Sequence, residues 1–356
     1  MRVLFIHRFC GWGGVTVGVR KRCQGLSKLG IRSDFLFVQD NGGREMFHGL
    51  PIRLYHTPDI HEAEKILKEG KYDVISSIDC PEIHAVLETL PEKVQIVCEV
   101  RTPYPGHRSY LKDRKLPSRT RCMVTPSKSF RRLIQEEINE SSREIPIYVI
   151  PDEIEDVFLE TGMLDYPRDA KRAIGWIGRL DDTKNYEELF EIASHFASLR
   201  NDVVFFIIGR FSTDESRLLY STVRNFKGKV NFIWLPFVDY RRIHLFYAFL
   251  RVSQGCLLST SRGETFSDVV LESMASRCPV VAADIEVLRE LLNDGQCGAL
   301  YEAGNKTSAV ASIVRVLDDY SYREGIVYAA HEKVKENFTS EKVSLEWKML
   351  FESFLS

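Results

Sequence analysis

Short apolar segments alternate with longer amphipathic segments along the whole chain, and this alternation constrains the fold more than any other feature. Segments such as "VVFFII" at Val203–Ile208 are apolar at every position, so both faces of a strand formed there would be buried. Strands buried on both faces are typical of parallel sheets, whose strands are joined by crossover helices. The sequence therefore predicts an α/β fold.

The predicted strands form two series separated by a polar, proline-bounded segment at 151–169 that predicts a linker. The first series is Val3–His7, Asp34–Val38, Val74–Ile78, Ile96–Val100, Arg121–Thr125 and Ile147–Ile150. The second is Ala173–Ile177, Val203–Ile208, Val230–Leu235, Gly255–Ser259, Pro279–Ala282 and a short Ala299–Tyr301. A chain of 356 residues exceeds the roughly 250–300 residues at which single cores stop growing. We therefore predict two Rossmann-like domains, one over 1–160 together with 338–356 and one over 161–337.

The last segment, "SEKVSLEWKMLFESFLS", predicts a helix with Ser340 as its N-cap. One face of that helix is apolar and carries Val343, Trp347, Leu350, Phe351 and Phe354. The pattern alone is consistent with packing on either domain. Our prediction is that the helix, over Glu341–Leu355, packs against the first domain.

Composition excludes several classes of protein. A hydrophobic content of 44%, a charged content of 28% and a net charge of −2 are typical of soluble globular proteins and indicate no particular partner. The eight cysteines are scattered without a C-x-x-C pair, which indicates reduced thiols and a cytoplasmic protein. No apolar run approaches the ~20 residues that a membrane span needs, and "MRVLFIHRF" is interpreted as a first strand.

The loop after the first strand, "HRFCGWGGVTVGV", is rich in glycine. Gly11, Gly13 and Gly14 would let backbone amides approach a phosphate or a sugar at a helix N-terminus. A dinucleotide fingerprint would need glycine at position 16, where this chain has Thr16. A tight strand-to-helix turn without a ligand explains the glycines equally well.

The first loop of the second series, "GRLDDTKN", carries Arg179 and Lys184 between a strand and a helix. Two cations at the carboxyl ends of parallel strands suit a diphosphate, because they can neutralise charge that grows on a leaving group. The alternative is surface pairing with Asp181, Asp182 or Glu187.

The loop "STSRGETFSDVVLES" places Glu264 before a predicted helix and Glu272 eight positions later. Thr265, Phe266 and Ser267 would occupy the start of that helix, where free amides can bind an anion or a hydroxyl. Carboxylates accept hydrogen bonds strongly, so one could hold a sugar ring and the other a ribose. The alternative for Glu272 is an ordinary solvated helix position.

"IGRLDDTKN", "STSRGETFSDVVLESMASRCPVVA" and the glycine-rich first loop, in this order and at these separations, resemble the retaining glycosyltransferases of family 4. The resemblance covers most of the second domain and the first in outline. It implies the GT-B fold, with two Rossmann-like domains facing a central cleft and the C-terminal helix crossing back to the first domain. It also implies acceptor binding by the first domain and nucleotide-sugar binding by the second.

The resemblance assigns roles residue by residue. Arg179 and Lys184 would bind the donor diphosphate, and Glu264 with the amides of Thr265, Phe266 and Ser267 would bind the transferred sugar and the distal phosphate. Glu272 would hold the nucleotide ribose, and Gly13 and Gly14 would lie under the donor phosphate and the acceptor. Family members need neither a metal ion nor another cofactor, and the leaving phosphate helps to deprotonate the acceptor.

The chain departs from the family pattern at three places. Many members carry a histidine directly after the fourth predicted strand, where this chain has Arg101, with His107 six residues later. We take Arg101 and His107 as acceptor-side candidates. The usual linker Asn-Gly is replaced by Asp152-Glu153, and a usual glycine by Arg277-Cys278.

A basic block runs from Arg101 to Arg132. It contains ten Arg or Lys residues and one acid, Asp113, which gives a local charge of +9 in a chain of net −2. Such a block is either a solvated loop face or a surface for an anionic acceptor or for an anionic membrane that carries the acceptor.

We therefore predict a metal-independent, retaining hexosyltransferase that moves a sugar from a nucleotide-diphosphate sugar to the hydroxyl of a small-molecule, lipid-linked or glycan acceptor. Nucleic acid is not an expected partner, and the expected location is the cytoplasm, with peripheral membrane contact through 101–132. The alternatives are a catalytically weak nucleotide-sugar-binding protein and a GT-B sugar-nucleotide epimerase.

Overall fold

The computed structural model describes residues 1–112, 115–138, 144–160, 162, 165, 167, 170–209 and 231–355. The chain divides into two compact units. The first contains Met1–Glu153 and Phe338–Ser356, and the second contains Ile154–Asn337. The chain thus leaves the first unit within the segment that the sequence predicts as a linker, and it returns to it at the last helix.

Seven parallel strands form the sheet described in the first unit, in the order β3-β2-β1-β4-β5-β6-β7. The strands are β1 Arg2–Cys10, β2 Arg32–Asp40, β3 Leu54–His56, β4 Val74–Ile78, β5 Gln95–Glu99, β6 Thr120–Thr125 and β7 Ile147–Val149. All but β3 belong to the predicted series. Strand β3 has no apolar run and no buried residue, because it lies at the edge of the sheet.

Helices pack against this sheet between successive strands. They are α1 Gly14–Lys28, α2 Ile60–Glu69, α3 His84–Leu87, α4 Ser109–Lys112 and α5 Lys128–Ile138. Their inward faces and the strands form a buried core that includes Leu4, Ile6, Ile75, Ile96 and Met123.

The last helix, Ser340–Glu352, belongs to the first unit, as predicted, and packs against α1. Gly25 of α1 makes this approach possible, because a Cβ atom there would lie 1.9 Å from Ser344 Oγ. Ser340 was the wrong choice of N-cap. Thr339 caps the helix, its hydroxyl accepting a hydrogen bond from the Lys342 amide.

The described part of the second unit has a six-stranded parallel sheet in the order β10-β9-β8-β11-β12-β13. The strands are β8 Arg172–Ile177, β9 Val203–Ile208, β10 Phe232–Leu235, β11 Cys256–Ser259, β12 Val280–Ala283 and β13 Ala299–Tyr301. The helices are α6 Asp156–Leu159, α7 Tyr186–Ala197, α8 Ile243–Val252, α9 Asp268–Ala275, α10 Glu286–Leu291, α11 Lys306–Asp318 and α12 Tyr320–Asn337, so the last helix of the chain is α13. The predicted α/β fold, with two parallel sheets, is confirmed.

Each sheet has one position where the strand order reverses, between β1 and β4 in the first unit and between β8 and β11 in the second. At such a position the loops that follow the two neighbouring strands diverge, and ligands bind in the crevice at the carboxyl ends of the strands. In the second unit these loops are the ones that contain Lys184 and Glu264.

Candidate active site

The loops after β8 and β11 are joined by hydrogen bonds. The Arg262 amide donates to the carbonyl oxygen of Thr183 at 2.8 Å. The Thr260 hydroxyl donates to the carbonyl oxygen of Lys184 at 2.8 Å and receives the indole N–H of the buried Trp176 at 2.9 Å. Because these contacts involve the backbone on both sides, they set the separation of Lys184 and Glu264.

Lys184 and Glu264 form an ion pair. The Lys184 Nζ atom lies 2.5 Å from Glu264 Oε1, which also accepts a hydrogen bond from Ser261 Oγ at 2.8 Å. The two side chains are only 19% and 10% exposed. Partial burial strengthens the attraction over that of an exposed pair. The structure therefore brings together two of the three residues predicted to be catalytic.

Arg179 lies close by in a different environment. Its side chain is 60% exposed, and its Nε atom donates to Asp181 Oδ2 at 2.8 Å. The other Asp181 oxygen accepts the Lys184 amide at 2.9 Å. The sequence left surface pairing open as an alternative for both cations. Arg179 does pair with Asp181, whereas the Lys184 ammonium contacts Glu264 instead.

The prediction that Thr265, Phe266 and Ser267 occupy the start of a helix is wrong for Thr265 and Phe266, whereas Ser267 is the N-cap. Helix α9 begins at Asp268, and Ser267 precedes it in the left-handed region with φ of 88°. A residue in that conformation cannot itself belong to a right-handed helix, so the helix starts at the next residue. Phe266 and Ser267 are buried, and the three residues form the connection between Glu264 and the N-terminus of α9.

Glu272 is a buried side chain of α9, with 4% of its surface exposed. Its Oε2 atom accepts a hydrogen bond of 2.9 Å from the hydroxyl of Tyr247 on α8. Burial, and then the neighbouring Glu272 charge, hold the pKa of Tyr247 well above its ordinary value, so the phenol remains a donor. The solvated-helix alternative is excluded, and no sequence pattern had indicated Tyr247 as the partner.

The glycine-rich loop connects β1 to α1 in the first unit. Gly14 is the first residue of α1 and Gly13 is its N-cap. No heavy atom among the described residues lies within 4 Å of a Cβ built on Gly13, so its backbone borders open space. Thr16, where a dinucleotide fingerprint has glycine, accepts the Gly11 amide with its hydroxyl at 3.2 Å. The Thr16 hydroxyl therefore stabilises the glycine-rich loop through a hydrogen bond within the loop.

The two acceptor-side candidates lie in opposite environments. Arg101 is buried and pairs with Glu99 and Asp152. His107 is exposed on a 3₁₀ turn, Pro105–Arg108, and its ring centroid lies 5.3 Å from that of Tyr104. Only His107 of these two presents its side chain to solvent.

Several cations of the basic block have structural partners. The buried Arg108 forms a two-pronged pair with Glu137, at 2.7 and 3.0 Å. Arg119 donates to three backbone carbonyls, and Arg121 donates to Gln95 Oε1 at 2.6 Å. The solvent-exposed cations of the block include Lys112, Lys115, Arg121, Lys128, Arg131 and Arg132. Asp113 and Arg114 lie outside the described residues.

Within the described part of the chain, no group of three or more His, Cys, Asp or Glu side chains is placed to hold a metal ion.

No described helix combines the length and the apolar character needed to cross a membrane.

Whole-chain comparisons define the fold class. The crystal structure of Anabaena HepE in complex with UDP and glucose superposes with a TM-score of 0.81 at 16% identity and covers 99% of this chain and 100% of that one. Sucrose-phosphate synthase from Thermosynechococcus elongatus gives a TM-score of 0.79 at 15% identity, with 99% and 98% covered. The chain has the GT-B fold.

Sequence comparison relates part of the chain to known glycosyltransferases. Residues 167–333 match the family described as "Glycosyl transferases group 1". The capsular polysaccharide biosynthesis glycosyltransferase CapM of Staphylococcus aureus is 24% identical over 51% of this chain and 46% of its own length. A phosphatidyl-myo-inositol mannosyltransferase of Mycolicibacterium smegmatis is 28% identical over 50% of this chain and 44% of its own length. The chain thus spans about half the length of these relatives. The glycosyltransferase resemblance predicted from the motifs is confirmed.

Proposed function

We propose that the protein is a retaining glycosyltransferase that moves a hexosyl group from a nucleotide-diphosphate sugar to an acceptor hydroxyl without a metal ion. The observation that carries this proposal is the Lys184–Glu264 pair, held between the loops that follow β8 and β11. The group 1 family segment contains both residues, and the complexes of HepE with UDP and glucose support a nucleotide sugar as donor.

The donor diphosphate would displace Glu264 from the Lys184 ammonium. Lys184 would then neutralise charge on the departing phosphate, and Glu264 would be released to accept hydrogen bonds from hydroxyls of the transferred sugar. The exposed Arg179 would exchange Asp181 for a phosphate oxygen, since the planar donor fork of a guanidinium group matches phosphate as well as carboxylate. The ion pair thus keeps both groups in place before the donor arrives.

In the transfer step, the bond between the sugar C1 atom and the phosphate oxygen breaks, and the acceptor oxygen bonds to C1 on the same face. The acceptor proton passes to the leaving phosphate. This route needs no protein nucleophile, and it assigns to Lys184 and Arg179 the stabilisation of the charge that develops on the diphosphate.

Glu272 would accept hydrogen bonds from the ribose hydroxyls. The Tyr247 hydroxyl donates to one oxygen of this carboxylate and orients it, and a carboxylate has about four lone-pair sites with which to accept hydrogen bonds. The amides of Thr265, Phe266 and Ser267 would contribute donors to the sugar and the distal phosphate, and Gly13 and Gly14 would approach the donor phosphate.

We assign acceptor binding to the first domain, 1–160 with 338–356, and nucleotide-sugar binding to the second, 161–337. The exposed cations of the basic block would attract an anionic acceptor, or an anionic membrane that carries the acceptor. His107 is the acceptor-side candidate with an accessible side chain, because Arg101 is buried.

The proposal is tested with a panel of nucleotide sugars. A true donor should raise the melting temperature through binding to the folded state, and it should be hydrolysed slowly when no acceptor is present. Binding without hydrolysis or transfer would favour the nucleotide-sugar-binding alternative. Conversion of the sugar without release of the nucleotide would favour the epimerase.

A further inference from the structure

The first unit contains a cluster of charged side chains, buried except for the partly buried Asp152, that the donor chemistry does not use. Its members lie on α1, at the end of β5 and in the segment after β7. They are Lys21, Arg22, Glu99, Arg101, Asp152 and Glu153. Burying so many charges is costly unless they are paired, so the arrangement of the pairs shows what the cluster holds in place.

Arg101 joins three separate segments. Its backbone amide donates to Asp79 Oδ2 at the end of β4, at 2.9 Å. Its Nε atom donates to Glu99 Oε2 at 3.2 Å, and a terminal nitrogen donates to Asp152 Oδ1 at 2.5 Å. The geometry of one planar guanidinium therefore fixes the end of β5 relative to the segment that follows β7.

Glu99, the anchor of Arg101, is itself held rigidly. Its Oε1 atom accepts hydrogen bonds of 2.7 Å from both Arg22 and Ser76, and its side chain is fully buried. The guanidinium of Arg22 in turn lies 4.0 Å from the centre of the Trp347 ring on α13. The Glu99 carboxylate is thus tied to α1, β4 and the last helix.

Asp152 connects the cluster to the point where the chain leaves the first unit. Burial alone would raise the pKa of Asp152. The pKa is nevertheless lowered, because the positive charges of Arg101, Lys21 and Arg22 favour the ionised carboxylate. Its Oδ1 atom lies 3.2 Å from the position of a Cβ on Gly18, so the carboxylate packs on the backbone of α1. Glu153, the next residue, is the last of the unit.

On the other side of Arg101 begins the loop that carries His107. Arg108 closes this loop, because its guanidinium donates to the Thr102 carbonyl at 2.9 Å while it pairs with Glu137. Buried arginines therefore fix both ends of the exposed turn at 102–107.

We propose that Arg101 is a positioning residue of the acceptor side, which sets the 102–107 loop against the strand ends through Glu99 and Asp152 without touching the substrate. This inference rests on the proposed transfer reaction. It places Arg101 apart from the donor residues Lys184, Glu264 and Glu272, which belong to the second unit. Displacing a substrate-positioning loop by about 1 Å typically costs about 100-fold in rate.

The test compares Arg101→Met and Arg101→Lys with wild type in two reactions. Transfer to acceptor should fall about 100-fold in Arg101→Met, with a higher KM for the acceptor. Donor binding and acceptor-independent donor hydrolysis should stay within about 3-fold, because Lys184, Glu264 and Glu272 belong to the second unit. Arg101→Lys keeps the charge and should recover part of the transfer rate. Arg53→Met, at an exposed arginine of the same unit outside the basic block, is the matched control and should behave as wild type.

Asp152→Asn provides a second variant in case Arg101→Met does not fold. It keeps the side-chain volume but loses the ion pair with Arg101, so the same split between transfer and hydrolysis is expected. In an Arg101→Met, Asp152→Asn double variant, the two effects should be less than additive, because each substitution removes the same Arg101–Asp152 ion pair.

Two results would overturn the positioning role. One is wild-type transfer in a folded Arg101→Met or Asp152→Asn variant. The other is an equal loss of transfer and of donor hydrolysis, which would place Arg101 in the donor chemistry. Failure of the proposed function is recognised separately, because the wild-type protein would then neither bind nor hydrolyse any nucleotide sugar, and the positioning role would fall with it.

Discussion

Replacing Glu153 by glutamine should change how the stability of the protein depends on pH. Glu153 is 2% exposed, and burial raises the pKa of its carboxyl to about 7, against the opposing charges of Arg22 and Lys21. The folded protein therefore holds the proton more tightly than the unfolded chain does, in which the pKa is about 4.5.

The direction of the effect follows from linkage. Stability contributed by a group with a raised pKa is fully present below its unfolded pKa and is lost as the pH rises through its folded pKa. The window here is between about pH 4.5 and about pH 7. At ~1.36 kcal/mol per pKa unit, the loss amounts to about 3 kcal/mol. A glutamine amide at this position does not titrate, so the variant should escape this loss.

The assay is urea unfolding of wild type and Glu153→Gln at pH 5 and pH 8. The free energy of unfolding of the variant, measured relative to that of wild type, should be up to about 3 kcal/mol higher at pH 8 than at pH 5. Other titrating groups, including Asp79, whose pKa burial raises to about 7, are common to both proteins and cancel in the difference. Glu45→Gln, at an exposed position, controls for the amide replacement. A difference between wild type and Glu153→Gln that is the same at both pH values would refute the reasoning.

Three further outcomes are expected. Glu272→Gln should weaken donor binding more than it lowers the rate of the bound complex, because ribose contacts are equal in the ground and transition states, and Glu264→Gln should do the opposite. Donor affinity and single-turnover rates measured for both variants check this, and reversed effects would mean that the two residues have exchanged roles. Tyr247→Phe should weaken donor binding and cost about 1–3 kcal/mol of stability, because it removes a hydrogen bond to the buried Glu272 carboxylate. Unchanged melting and unchanged donor affinity would contradict this expectation. Binding to an anionic acceptor or to anionic vesicles should weaken as salt rises, because exposed charges are screened beyond about 8 Å at ~0.15 M salt. It should also weaken in a Lys112→Ala, Lys115→Ala variant, and insensitivity to both changes would mean that the basic block is only a solvated surface.

The strand pattern of both units could be predicted from the sequence because buried parallel strands need continuous apolar runs. Val74–Ile78 and Val203–Ile208 have the predicted bounds. The edge strand Leu54–His56 lacks that signal. The choice of Ser340 over Thr339 failed because both side chains can cap a helix, and only the backbone conformation decides which one does.

The candidate site was only partly predictable. Motif spacing located Lys184 and Glu264, but their direct pairing depends on two loops brought together by the strand order. The sequence likewise could not show that Arg101 would be buried, because its partner Asp152 lies fifty-one positions away. One signal was present in Glu99, a charged residue inside the apolar run "QIVCEV", since a carboxylate in a buried strand requires a buried cation.

The most direct test of the account is the rate of nucleotide release from a nucleotide sugar by wild type and by Lys184→Ala. Lys335→Ala is the matched control, because Lys335 pairs with Glu332 on the surface of the same unit. If Lys184 stabilises the departing diphosphate, its loss should lower turnover on the order of 100–1,000-fold, while Lys335→Ala stays at the wild-type rate. A folded Lys184→Ala protein that releases nucleotide at the wild-type rate would contradict the account.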